Sequence, residues 1–143
     1  MREKAEPVLK IDNEIKSLVT EMKKIMKKYN GVGLAANQVG VKKRVFVMEV
    51  NNKSYVCINP KIVKKGKEEL MEEGCLSVPN KWGEVLRSNF VVLKYQNLWG
   101  KEKTLRAKGL LAQVIQHEVD HLDGILFIDK AKNIYEIKPE EKK

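Results

Sequence analysis

His117 and His121 are the only two histidines of the chain, and they stand four residues apart with Glu118 directly after the first. On a helix, side chains four apart lie one turn from each other on the same face, so both imidazoles can reach one ion. The glutamate, one step on, is rotated off that line and can address a metal-bound water without being a ligand. The segment His117-Glu118-Val119-Asp120-His121 therefore has the H-E-x-x-H pattern of metal-activated hydrolysis, with Glu118 handling the proton.

Two histidines leave a catalytic site one ligand short, and the third ligand decides the class. One extended metalloprotease pattern continues x-x-Gly-x-x-His. Gly124 falls on its glycine, but Phe127 stands where the His is required, and phenylalanine binds no metal. Other zinc peptidases take a downstream Glu. Glu136, Glu140 and Glu141 lie in a tail without clear periodicity, a poor place for a rigid ligand. Upstream, Cys75 sits in Glu72-Glu73-Gly74-Cys75-Leu76-Ser77-Val78-Pro79, where Gly74 frees the backbone beside a thiolate and Pro79 ends the segment. Cys75 is read as the third ligand, and Cys57, inside the run SYVCINP, as a buried small residue.

Such a site needs rigid elements to hold it. Leu110, Val114, His117 and His121 are spaced four, three and four, which predicts a helix from about Lys108 to Leu122 with Gly124 as its C-terminal cap. On that stripe Leu110 and Val114 are the apolar residues nearest the metal, able to line a pocket for an unbranched apolar side chain such as methionine; core packing is the competing reading. An amphipathic helix is expected from Asp12 to Tyr29, where Ile15, Leu18, Val19, Met22, Ile25, Met26 and Tyr29 recur at helical spacing. Asp12 or Asn13 can cap its start and Asn30–Gly31 can close its end. Between the helices, RVFVMEV, SYVCINP, KIV, EELM, GEVL, FVVLKYQ and KTLRA read as short strands joined by NNK, KKGK and LWGK turns. ILFI, after the second helix, reads as a short strand or extended segment. Helix, many hairpin strands, helix makes an α+β fold: antiparallel β-sheets packed around a central metal-binding helix, with an N-terminal amphipathic helix.

The 143 residues suit one domain, 1–143, and 43% apolar content supports a packed core. The net charge of +9 favours anionic partners, so loose attraction to an RNA-rich surface such as the ribosome is expected. The cations are dispersed without interleaved aromatics, which speaks against specific DNA binding. No apolar stretch approaches the ~20 residues of a membrane span, and the N-terminus lacks a signal-peptide core, so a cytoplasmic location is expected.

Three segments together resemble the peptide deformylases: Gly31-Val32-Gly33-Leu34-Ala35-Ala36-Asn37-Gln38, similar to the family's GxGxAAxQ; Glu73-Gly74-Cys75-Leu76-Ser77, similar to EGCLS; and Gln116-His117-Glu118-Val119-Asp120-His121, similar to QHExDH. They occur in the family's order, and the similarity runs from about Glu6 to Ile128. The resemblance implies hydrolysis of the N-formyl group of formyl-methionyl nascent peptides, with release of formate. It implies one divalent metal on Cys75, His117 and His121, ferrous iron in the cell, with zinc, nickel or cobalt able to replace it in purified protein. It assigns the oxyanion to the Gln38 side-chain amide and the Leu76 N–H, beside the acid–base Glu118. Val32 and Met71 join Leu110 and Val114 as substrate contacts by resemblance, and Gly31, Gly33 and Gly74 fit a backbone close to substrate. Glu73, Ser77, Arg87 and Gln116 are expected to orient the ligands. Members usually carry a further dozen or so residues before the segment like Lys4–Leu9, and many bacterial members a long C-terminal helix where Lys130–Lys143 follow here.

Cys75→Ser should weaken or alter metal binding while Cys57→Ser leaves it unchanged. Metal content and spectra of the purified variants check this; equal occupancy and spectra in wild type and both variants would remove Cys75 as third ligand.

Overall fold

The computed structural model describes residues 4–75, 78–125 and 134–136, and the side chains of 74–82 and 134–136 fall outside that description. Helix α1 (Asn13–Lys28) starts where the Asp12 side chain accepts the Ile15 N–H at 3.1 Å. It ends where Asn30 turns left-handed (φ 54°), which lets the Gly31 N–H reach the Met26 carbonyl at 2.8 Å. Its buried stripe is Ile15, Val19, Met22 and Met26.

Strand β1 (Gly33–Ala35) runs into a short 3-10 turn (Ala36–Val39), followed by β2 (Val45–Val50), β3 (Lys53–Lys65), β4 (Glu68–Cys75), β5 (Val78–Ser88), β6 (Phe90–Gln96) and β7 (Glu102–Lys108). Helix α2 (Gly109–Leu122) and strand β8 (Ile134–Glu136) complete the described elements. One sheet has the order β1-β2-β3-β6-β7 and the other β4-β5-β8, with every strand pairing antiparallel. The mixed α+β class with antiparallel sheets therefore holds.

Three local features differ from the sequence reading. SYVCINP and KIV belong to one strand, because a register shift between Ile58 and Lys61 absorbs Pro60 without ending it. Asn59 sits at that shift with φ 51°, its side chain bonded to both the Val8 N–H and carbonyl and to Gln96. Strands β1 and β8, three residues each, are too short to show a period of two. Beyond Ile125, the ILFI run lies outside the described residues, as does all of the C-terminal tail except β8.

Alternation along the strands sends side chains to two different helices. Phe46, Met48, Val50 and Cys57 pack with Ala112, Val114, Ile115 and Leu122 of α2. Val45, Val47 and Ile58 pack with Val19, Met22 and Met26 of α1 on the other face. The second sheet is fastened to α2 through Gln116. Its side-chain oxygen accepts the Ser88 N–H at 2.9 Å, and its nitrogen donates to the Ser88 carbonyl at 2.8 Å. Among the described residues, no helix is long and apolar enough to cross a membrane.

Met22 is fully buried in the centre of the α1 stripe. Met22→Ala should cost about 2–5 kcal/mol of unfolding free energy by loss of burial plus an unfilled cavity, read by urea denaturation, with little change in the activity of the folded fraction.

Candidate active site

Helix α2 places both histidines on one side. Their rings meet edge to face, 4.7 Å between centroids, and the two Nε2 atoms lie 3.0 Å apart. The outer nitrogen of His117, Nδ1, stands 2.7 Å from Glu73 Oε1. A carboxylate only accepts, so the ring donates through Nδ1, and its Nε2 faces His121. Glu73 is ionised. Burial alone would raise its pKa, but hydrogen bonds from Arg87 and His117 outweigh that and hold it at about 2. Arg87 grips it in two places, Nε to Oε2 at 2.6 Å and Nη2 to Oε1 at 2.7 Å, and reaches Asp120 Oδ2 through Nη1 at 2.5 Å. His121 is kept neutral: burial, then the neighbouring His117 and Arg87, push its pKa down to about 3.

Glu118 lies on the same helix, 3% exposed, and burial pushes its carboxyl up to about 7. Its Oε1 has no hydrogen-bond partner among the described residues. Gly33 explains how the carboxylate fits. A Cβ at that position would lie 2.7 Å from Glu118 Oε2 and 3.0 Å from Val114 Cγ1, so β1 passes the helix at a distance that only glycine allows. The nearest neighbour of Gly33 is thus the acid–base candidate. From the 3-10 turn, Gln38 Oε1 accepts the Ala35 N–H at 2.9 Å, which fixes the amide with its oxygen turned to the backbone.

The other expected residues divide. Val114 is 4% exposed and packs in the core, while Leu110, one turn earlier on the same stripe, is 52% exposed. Val32 is 47% exposed, and Met71 and Gly31 are half-buried. Gln116 holds the Ser88 backbone and so positions the helix; its described hydrogen bonds reach no ligand. Leu76 and Ser77 lie outside the described residues. Gly74 and Cys75 are described by backbone alone, at the end of β4 and, for Cys75, two residues past Glu73. Cys57 is buried, and burial raises its thiol pKa far above the usual range, which leaves it protonated and inert. Two residues escaped the sequence reading although both lie inside the quoted motifs. Asp120 receives Arg87, and Asn37 donates from Nδ2 to the His121 carbonyl. A separate cleft of about 380 Å³ lies against Arg87, Gln116 and Asp120, and neither His117 nor Glu118 lines it.

The donors present suit a divalent metal. Two imidazole nitrogens 3.0 Å apart are within reach of one ion whose bonds to nitrogen are about 2.0–2.1 Å, and the buried Glu118 Oε1 beside them has no hydrogen-bond partner among the described residues. Among the described residues no third ligating side chain joins them.

An antiparallel α+β frame carrying an H-E-x-x-H helix defines a hydrolase of the metal-dependent type. The family model for polypeptide deformylase matches residues 1–136, and the chain belongs to that family, hydrolases of the formyl amide bond that are in general metal-dependent. It is 50% identical over 131 residues to the peptide deformylase of Dictyoglomus thermophilum, covering 92% of this chain and 86% of that protein. With that of Halothermothrix orenii it shares 47% over 138 residues, 95% of this chain and 90% of the relative. The crystal structure of the Thermotoga maritima peptide deformylase superposes with a TM-score of 0.89 at 44% identity, over 92% of this chain and 90% of that one.

The Glu73 shift has a consequence for acid stability. Its folded pKa lies below the unfolded value of 4.5, so its stabilisation is present above 4.5 and is lost as pH falls toward about 2. Denaturant titrations of metal-free protein across that window should show falling stability, with a flatter pH dependence in Glu73→Gln. An equal slope in both proteins would remove Glu73 as the titrating group.

Proposed function

We propose that the chain removes formate from the N-terminal formyl-methionine of newly made polypeptides, using one divalent metal on His117, His121 and Cys75 and Glu118 as acid–base group. The observation that carries this reading is the convergence of the two imidazole Nε2 atoms at 3.0 Å on the helix that also buries Glu118. In this reading α2 is the central metal-binding helix of the fold. Imidazole and thiolate accept several first-row ions; ferrous iron is proposed for the cell, with zinc, nickel or cobalt able to occupy the same donors.

When bound, the metal supplies Lewis acidity, lowering the pKa of a water toward neutrality. Glu118 takes a proton from the attacking water at a carboxylate oxygen. A pKa raised by burial toward neutrality makes it a competent base there and, once protonated, a competent acid. The water oxygen bonds to the formyl carbon, the C–N bond breaks, and Glu118 passes the proton to the leaving amine nitrogen. The Gln38 amide is fixed by its bond from the Ala35 N–H, and its NH2 end is proposed to donate to the developing oxyanion, with the Leu76 N–H as second donor. Each such donor is worth roughly 2.7–4 kcal/mol in the transition state. Leu110, Val32 and Met71, with Val114 at the edge of the core, are proposed to receive the methionine side chain, the Gly31, Gly33 and Gly74 backbone lying alongside. Burying that chain favours formyl-Met over formyl-Ala by roughly 1–3 kcal/mol. The partners are nascent peptides in the cytoplasm, with loose ribosome association through positive charge and neither specific DNA binding nor a membrane.

Glu118→Gln should retain metal and lose at least about 100-fold in turnover, because it keeps the shape and removes the base. Formate release from a formyl-Met peptide, with metal content measured on the same sample, checks it; a near wild-type rate would remove Glu118 from the mechanism.

A further inference from the structure

The face of the five-stranded sheet that carries α1 is covered only in part. Val45 is opposite Ile58, and Ile58 is opposite Gln96, so these residues share one face, and α1 closes it over β2 and the start of β3. The same face continues across the end of β3, β6 and β7. There the register sets Lys61 opposite Lys94 and Lys94 opposite Thr104, then Lys64 opposite Val92 and Val92 opposite Arg106, then Phe90 opposite Lys108. Lys61, Lys64, Lys94, Arg106 and Lys108 are all exposed, and none is in an ion pair among the described residues. The acidic member of these β6–β7 rows is Glu102, at the far end opposite Gln96.

Stability does not account for this arrangement. Like charges directly opposite on a sheet are destabilising, and Lys61 faces Lys94 across neighbouring strands about 4.8 Å apart. Five exposed cations gathered on one sheet face, two on β3, one on β6 and two on β7, are relieved by a polyanion with regularly spaced charges. We propose that this face of β3, β6 and β7 is a docking surface for the phosphate backbone of base-paired RNA. Phe90, the aromatic residue of these rows, is half-buried, so the face offers mainly phosphate contacts and not a run of rings for stacking single strands. The choice of RNA over other polyanions rests on the proposed nascent-peptide substrate, because such peptides emerge beside ribosomal RNA.

The test titrates the metal-loaded full chain against a labelled RNA duplex over a salt series, with anionic phospholipid vesicles as a parallel arm. One variant carries Lys61→Gln, Lys64→Gln, Lys94→Gln and Arg106→Gln. A control of equal charge change carries Lys16→Gln, Lys27→Gln, Lys28→Gln and Lys53→Gln. The face variant should bind duplex RNA at least ~10-fold more weakly and lose about 3 from the slope of log affinity against log salt, near 0.7–0.9 for each phosphate contact. The control should stay within about twofold of wild type. Formate release from a short formyl-Met peptide should be unchanged in both, so loss of the docking surface and failure of the proposed activity are read separately. Equal weakening in both variants would overturn the proposal in favour of diffuse net charge. Retained RNA binding in the face variant, or preference of the wild type for vesicles, would overturn it as well.

Discussion

The Glu73 carboxylate is the group on which the rest of the site depends. It is 4% exposed and accepts from Arg87 through both oxygens and from His117 through one. Arg87 comes from β5, Glu73 from β4, and His117 and Asp120 from α2, so one buried cluster joins the smaller sheet to the helix. Burying these charges costs several kcal/mol for each ion, which their mutual attraction only roughly offsets. Specificity is the better account of what the cluster achieves. Glu73 fixes the tautomer and rotation of His117, and Arg87 keeps Glu73 ionised while holding the next turn of the helix through Asp120.

The far end of α2 is held as closely. A helix end leaves its last four carbonyls without helical partners, and here all four are bonded. Val119 and Asp120 receive the Asp123 N–H, His121 receives the Gly124 N–H and the Asn37 side chain, and Leu122 receives the Ala5 N–H and Arg44. Arg44 also pairs with Asp123 at 3.0 Å, placing a cation at the negative end of the helix. The 3-10 turn that carries Gln38 is therefore tied through Asn37 to the backbone of His121. The proposed oxyanion donor and the proposed metal ligand, more than eighty residues apart in the chain, are thereby tied to each other through one contact. A catalytic geometry of this kind tolerates little displacement: a shift of about 1 Å can cost roughly 100-fold in rate.

The sequence reading was most informative where residue type carries chemistry. The helix that carries His117 to His121, the burial of Cys57 and the β runs correspond to described features, because each depends on periodicity or side-chain type within a short window. What it could not resolve depends on approach between distant segments. Helical spacing puts Leu110 and Val114 on one stripe, yet one is half-exposed and the other packs in the core, since β1 covers only part of that stripe. Gly33 was read as backbone close to substrate, and the spacing gave no sign that a Cβ there would also meet Glu118 and Val114. The contact of Asn37 with His121 has no local signal, because a polar residue in a motif looks the same whether it faces solvent or a carbonyl far along the chain. Strand β8 was illegible for another reason. Three residues carry no period, and their pairing with Lys81–Gly83 is decided by the partner strand.

The charge states of His121 and Glu118 have a single leading cause. Burial disfavours both the imidazolium and the carboxylate, pushing one pKa down to about 3 and the other up to about 7. The imidazole is thereby left in the form that binds metal, and the carboxyl sits where it can both accept and donate a proton at neutral pH. A divalent cation on the two histidines would favour the ionised form of Glu118 further, so metal affinity and proton occupancy are linked. Glu118 also feels His117, Glu73, Arg87 and Asp120. The midpoint of an acidic limb in a pH–rate profile would therefore belong to the cluster and not to one carboxyl. In the proposed mechanism the buried ion pair of Glu73 and Arg87 would then act at one remove, through the field in which Glu118 titrates and the direction in which His117 points.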